Sequence, residues 1–179
     1  MLRKIVLVVI AVGLMIGISV LTGNMQKDKT AYVDISKVYN EFELKKECEG
    51  KYTHIENARK TILDSLEITL NMLSQRIRSN HKKDKNELEA QIQEFELKRQ
   101  DYLLKKKNFE EDNDRTAKKF DEEIWKQINQ YVKDYGKEND YTFIFGAEGS
   151  GAVMYARETK NISEEVIKYI NSKYKGGLK

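Results

Sequence analysis

Apolar positions recur with three different periods along this chain, and each period predicts a different element. Behind the basic start Met1–Lys4, Ile5 to Leu21 (IVLVVIAVGLMIGISVL) is an unbroken charge-free run. Such a run is a targeting segment, longer than the usual signal-peptide core of about 7–15 residues and shorter than a full span of about 20. No A-x-A site follows it, so a cleaved signal peptide and a retained inner-membrane anchor both stay open. Either way the basic end stays cytoplasmic and the remainder is delivered outside.

From Thr30 to Ile35 (TAYVDI) the period drops to two, with Ala31, Val33 and Ile35 on one side. That alternation predicts a half-buried strand, and Ser36 follows as a helix N-cap. The period then lengthens. Between Ser36 and Arg78 the apolar residues fall at Val38, Phe42, Tyr52, Ile55, Ile62, Leu66, Leu70, Leu73 and Ile77, the stripe of one long amphipathic helix. Ser79 to Asn86 has no apolar residue and reads as a turn. A second stripe follows from about Glu87 to Gly136, through Leu88, Ile92, Phe95, Tyr102, Phe109, Phe120, Ile124, Ile128, Tyr131 and Tyr135. Its four-three rhythm predicts antiparallel pairing with the first helix, loosened where Arg99, Lys106 and Asn113 take apolar steps.

Past Gly136 the pattern changes again. Tyr141–Phe145 and Ala152–Ala156 are β-prone runs flanking GAEGSG, which predicts a β-hairpin. The glycines are ordered G-x-x-G-x-G with no Lys-Ser/Thr behind them, unlike a phosphate-binding loop. Ser163 is placed to cap a last helix, with Ile162 and Ile167 as a hydrophobic staple and Ile162, Val166, Ile170 and Tyr174 on one face. The expected fold is α+β: a small body of strand, β-hairpin and C-terminal helix carrying a long antiparallel helical-hairpin arm. Residues 1–29 form the leader and linker and residues 30–179 one exported domain. Its body is 30–36 and 137–175, and its arm is 37–136 with a tip near 79–86.

Composition removes some function classes. Of 32 basic side chains two precede the apolar run, leaving the rest nearly balanced against 29 acidic ones, so no nucleic-acid partner is expected. The chain has no proline, which suits uninterrupted helices. Cys48 is the only cysteine, and His54 and His81 are the only histidines. Cys48 and His54 lie on different helix faces, and the carboxylates interleave with lysines as on solvated helices, so no catalytic or metal constellation emerges and no enzyme activity or cofactor is expected.

The residues at the two ends carry a resemblance. AYVDISKVYNEF (Ala31 to Phe42) and YTFIFGAEGSGAVMYARETKNISEEVIKYIN (Tyr141 to Asn171) are similar to the first strand and closing unit of the Skp/OmpH family of periplasmic chaperones. The order of elements behind an export signal fits the same family. The resemblance implies an ATP-independent holdase in the periplasm, a homotrimer whose arms enclose unfolded outer-membrane proteins. Three strands and one helix are also too small a body to be stable alone. Val33, Ile35, Phe143, Phe145, Val153 and Tyr155 are the candidates for the body core or subunit contacts. Met72, Leu73, Ile77, Leu88, Ile92 and Phe95 cluster toward the tip as candidate client contacts, unless they only zip the two helices together. Arg76, Arg78, Lys82, Lys83 and Lys85 give the tip a local positive charge, suited to acidic clients or anionic lipid head groups, or simply to a solvated turn. The rival reading is an inner-membrane-anchored coiled-coil scaffold of the cell envelope.

Overall fold

The computed structural model describes residues 28–79, 85–148 and 153–177. The apolar segment read as a targeting signal, the middle of the tip, including Lys82 and Lys83, and the glycine-rich turn 149–152 lie outside the described residues. Among the described residues no helix is long and apolar enough to cross a membrane.

Strand β1, Thr30–Asp34, has the predicted alternation, with Ala31 and Val33 buried against the helices. Helix α1, Ile35–Glu41, starts two residues earlier than predicted. Its cap is Asp34, whose carboxylate accepts the Lys37 amide at 2.9 Å, and Ser36 sits inside the helix, exposed. The aspartate wins because it already stands at the end of the strand in extended conformation, three residues before the orphan amide.

The first long helix is not continuous. Phe42 is extended (φ −73°, ψ 128°) and separates α1 from α2, Glu43–Ser79. No glycine or proline causes the break. In one unbroken helix Phe42 and Leu44 would point about 160° apart, yet both are buried, together with Val38 and Cys48. Interrupting the helix at Phe42 lets both apolar pairs enter one core.

Helix α3, Lys85–Glu138, returns along α2. Tyr39 meets Asp121 and Trp125, Arg59 meets Phe109 and Asn113, and Leu63 and Glu67 share a groove with Tyr102, which fixes the pair as antiparallel. With 37 and 54 residues the two helices span roughly 55 and 80 Å at 1.5 Å per residue. Gly136 does not end α3. Asp140, at φ 56°, takes the left-handed position instead; the Tyr141 amide donates to the Gly136 carbonyl at 2.9 Å and the Asp140 amide to Lys137 at 3.4 Å. This is the paired bonding of a Schellman end, with aspartate where glycine is usual. Gly136 is buried against Ile144, whose Cδ1 would lie 3.4 Å from an added Cβ.

Strand β2, Phe143–Ala147, pairs parallel with β1, Thr30 opposite Phe143 and Val33 opposite Gly146. Among the described residues the predicted hairpin is absent: residues 153–157 carry no strand, and the whole arm serves as the crossover between two parallel strands. The β-prone composition of YTFIF could not specify its partner. Ile144, the residue turned inward over Gly136, decides the register and leaves Phe143 and Phe145 facing out.

The other edge of β1 is bridged at Tyr32 by Asn161, and the Ile162 amide donates to Tyr32 O at 3.0 Å. After a short 3-10 turn, Glu158–Lys160, helix α4 runs Ser163–Gly177. Ser163 does not cap it with its hydroxyl. That group accepts the Asp34 amide at 2.8 Å, while Asn161 Oδ1 takes the Ser163 amide at 3.1 Å. Ile162, Val166, Ile167 and Ile170 of this segment join Ala31, Val33, Val38, Phe42, Ile124 and Ile128 in a single core at the base of the arm. The fold is α+β, a two-stranded body with a long helical-hairpin arm.

Candidate functional site

Two surfaces stand out, one along the arm and one on the body. On the arm, Leu73 is buried between the helices, while Ile77, Leu88 and Phe95 are half-buried. Met72 (57% exposed) and Ile92 are open. Of the six apolar tip residues, one thus lies in the seam, three at its margin and two outside it. Ile62, placed by its spacing on the stripe of the first long helix, is exposed, and further exposed aliphatics were not singled out from sequence: Ile68 on α2, and Leu97 (68%), Leu103 and Leu104 on α3. Leu97 and Leu104 are one heptad apart, so they share a face of α3 away from the half-buried line through Leu88, Phe95, Tyr102 and Phe109. The signal was present, since leucines off the four-three stripe are conspicuous in so polar a helix.

The seam is partly polar. Arg59 donates to Asn113, lies 3.6 Å from Asp112, and covers the Phe109 ring with its guanidinium 5.6 Å from the centroid. Asn113 is thus a polar step held inside the pairing. Arg99 and Lys106 are exposed, the former bonded along its own helix to Glu96. Nearer the base an open groove of about 590 Å³ is lined by Tyr39, Cys48, Tyr52, Phe120 and Asp121, among others. Burial, assisted by the neighbouring Glu123, pushes the Cys48 thiol up, which keeps it protonated and poorly nucleophilic. Arg76, Arg78 and Lys85 at the ends of the tip are exposed.

On the body, Val33 is core and Ile35 half-buried, its side chain filling the space that Gly146 leaves. Phe143 and Phe145 stack on each other at 5.8 Å on the outer sheet face. Both are about half exposed, Val153 is half-buried, and Met154 and Tyr155 are 90% and 85% exposed. Tyr32, Phe145, Met154 and Tyr155 border an open cleft of about 570 Å³ on this face. Among the described residues the outer edge of β2 has no strand partner. Exposed aromatic side chains thus lie next to a strand edge that has no partner among the described residues.

No group of three or more His, Cys, Asp and Glu among the described residues could hold a metal ion.

Comparison with known proteins agrees with this layout. Among curated proteins no relative matches the sequence. A solved structure from Caulobacter crescentus CB15, a candidate outer membrane chaperone (OmpH-like), superposes with a TM-score of 0.72 at 12% identity, over 82% of this chain and 85% of that one. At that identity the likeness speaks for the fold. The family model for "Outer membrane protein (OmpH-like)" matches residues 29–170, from just before β1 to the last buried residue of α4. With strand, arm, parallel strand and the closing helix as far as Ile170 inside the matched span, the chain belongs to the OmpH-like family.

Proposed function

We propose that this protein is an ATP-independent periplasmic holdase, which keeps unfolded outer-membrane proteins from aggregating by binding them between the arms of a homotrimer. The single observation that carries the reading is the set of exposed aliphatic side chains along an otherwise charged arm, Met72, Ile92, Leu97 and Leu104 foremost. Burying one such side chain stabilises a complex by about 1–2 kcal/mol when the contact is partial. Several together are needed for a micromolar grip, since ordering the client costs free energy as well. Weak contacts spread along a helix demand no particular client sequence, and their release needs no nucleotide. A coiled-coil scaffold would gain nothing from aliphatic groups outside its seam.

The trimer assigns a role to the second surface. The outer edge of β2, the Phe143–Phe145 stack, Met154 and Tyr155 meet other copies of the chain, and Val33 with Ile35 supports that face from inside. The arm residues 37–136 then project from a shared body, and the targeting segment 1–29 delivers it to the periplasm. Arg76, Arg78 and Lys85, with Lys82 and Lys83, draw acidic clients or anionic lipid head groups to the tip, an attraction that weakens as salt is raised.

The test is dilution of a urea-unfolded outer-membrane β-barrel protein into the full chain without ATP, with light scattering to follow aggregation. Suppression at near-stoichiometric amounts, lost when Met72, Ile92, Leu97 and Leu104 are changed to serine, supports the proposal. Aggregation at the rate of the client alone contradicts it.

A further inference from the structure

The groove at the base of the arm is chemically uneven along its length. It follows α2 from Lys45 to Glu56, about 16 Å at 1.5 Å per residue, and α3 supplies its other wall. At the body end Tyr39 donates its hydroxyl to Asp121 at 2.7 Å and stacks on Trp125, with ring centroids 5.0 Å apart. The Lys45 ammonium lies 5.4 Å from the centre of the Tyr39 ring and 2.7 Å from Glu49. One end of the groove thus already holds a cation between an aromatic ring and a carboxylate.

The other end has the same parts and no cation of its own. Tyr52 and Glu56 stand at i and i+4 on one face of α2, and the antiparallel pairing sets Phe120 and Ala117 of α3 across from them. Tyr52 and Phe120 are half-buried, so each ring keeps part of its surface open, and Ala117 is too small to close the gap. Among the described residues no lysine or arginine forms an ion pair with Glu56. Along the whole groove the carboxylates of Glu49, Glu56 and Asp121 face a single ammonium, that of Lys45. The floor between them is apolar, with Cys48 and Ile124 buried. Negative charge around an apolar floor fits a side chain with an aliphatic stem and a cationic head. A guanidinium fits best, because its plane stacks on a ring and meets a carboxylate with two N–H groups at once. The length of the groove equals about five residues of extended chain at ~3.3 Å per residue.

We propose that this groove is a binding site for an arginine side chain carried on an extended polypeptide segment, its guanidinium set against the Tyr52 and Phe120 rings and paired with Glu56. The site goes beyond the holdase reading and does not depend on it, since neither the exposed aliphatics of the arm nor the outer face of the sheet takes part. Lys45 on Tyr39 and Glu49 shows within the chain how such a cation is held. Asp121, at the far side of the groove from Glu49, adds attraction for the head group without a direct pairing.

Trp125 is the only tryptophan of the chain and reports on the groove through the Tyr39 ring stacked on it. Its fluorescence is followed in the full chain during titration with the blocked pentapeptide acetyl-Gly-Ala-Arg-Ala-Gly-amide, and with the same peptide carrying citrulline, the uncharged isostere of arginine. The expected result is a saturable change with a midpoint of about 1 mM for the arginine peptide, and binding roughly tenfold weaker for the citrulline peptide. Glu56→Gln, at an exposed position without an ion-pair partner, is expected to weaken the arginine peptide about fivefold at unchanged helix content. Tyr52→Leu removes a ring and keeps an apolar side chain, and a loss of about the same size is expected. No saturable change, equal affinity for the two peptides, or parental affinity in every variant that folds overturns the proposal.

Discussion

Arg59 on the outgoing helix of the arm donates a guanidinium hydrogen bond to the side-chain oxygen of Asn113 on the returning helix, 54 residues later. The pair sits between the apolar contacts of the base and those of the tip, with Arg59 also covering Phe109. A polar pair inside a helical seam fixes which turn faces which, at some cost in stability. Removing only one partner leaves the other half-buried and unmatched. Arg59→Ala is expected to lower arm stability by about 1 kcal/mol. The double variant Arg59→Leu with Asn113→Leu is expected to recover that stability while loosening the register. Thermal unfolding by circular dichroism reads the first effect, and cross-linking across the seam reads the second.

Gly146 is required by Ile35. A Cβ at Gly146 would lie 2.2 Å from Ile35 Cδ1 and 2.8 Å from Cγ1, inside contact distance. Gly146→Val is therefore expected to destabilise the body by about 1–3 kcal/mol, the usual cost of overpacking. Adding Ile35→Ala should return part of the loss. Urea unfolding of both variants checks this, and equal effects in the presence and absence of Ile35 would remove the steric explanation.

Tyr39 and Tyr174 should give the fold a distinct alkaline limit. Burial first, then hydrogen bonds to Asp121 and Glu47 respectively, push each phenol up to about 12, above the ordinary value of about 10. The unfolded chain loses these protons first as pH rises. The stability they contribute is complete below about pH 10 and is lost on the way to pH 12. Tyrosinate absorbance should show a late-titrating component that shrinks in the Tyr39→Phe and Tyr174→Phe variants, with stability less steeply dependent on pH in the same interval.

The outer face of the sheet should control assembly without controlling folding. Phe143 and Phe145 contribute little to the intrachain core, since each is about half exposed and stacked mainly on the other. Changing both to lysine is expected to leave helix content unchanged and to reduce the mass in solution to that of one chain. An unchanged mass would place the subunit contact elsewhere.

How much of this could be read from the sequence follows the physics of each element. The arm was legible because its apolar spacing repeats over many turns, and β1 because Ala31 and Val33 alternate cleanly with polar neighbours. The breaks were not. The helix end at Asp140 and the interruption at Phe42 involve no glycine or proline at the decisive residue. The one local signal at Phe42 was the phase jump between Phe42 and Leu44. The parallel pairing of β2 depends on Ile144 meeting Gly136 and Val33 meeting Gly146, contacts between segments more than a hundred residues apart or across a helix end. At the site, sequence spacing located apolar residues near the tip but could not divide them. Leu73 faces the partner helix while Met72, its neighbour, is exposed. The hydrogen bonds that Asn171 makes to the Glu41 carbonyl and the Glu43 amide, across 130 and 128 residues, had no local signature at all.

The central claim is that several copies of this chain hold one unfolded client on their arms without nucleotide. The mass of the complex tests it most directly, measured by light scattering after a urea-unfolded outer-membrane β-barrel protein is diluted into the full chain. The account predicts a soluble species of three chains and one client, with the client lost when the exposed arm aliphatics are changed to serine. A single chain with all of the client in the precipitate would contradict it.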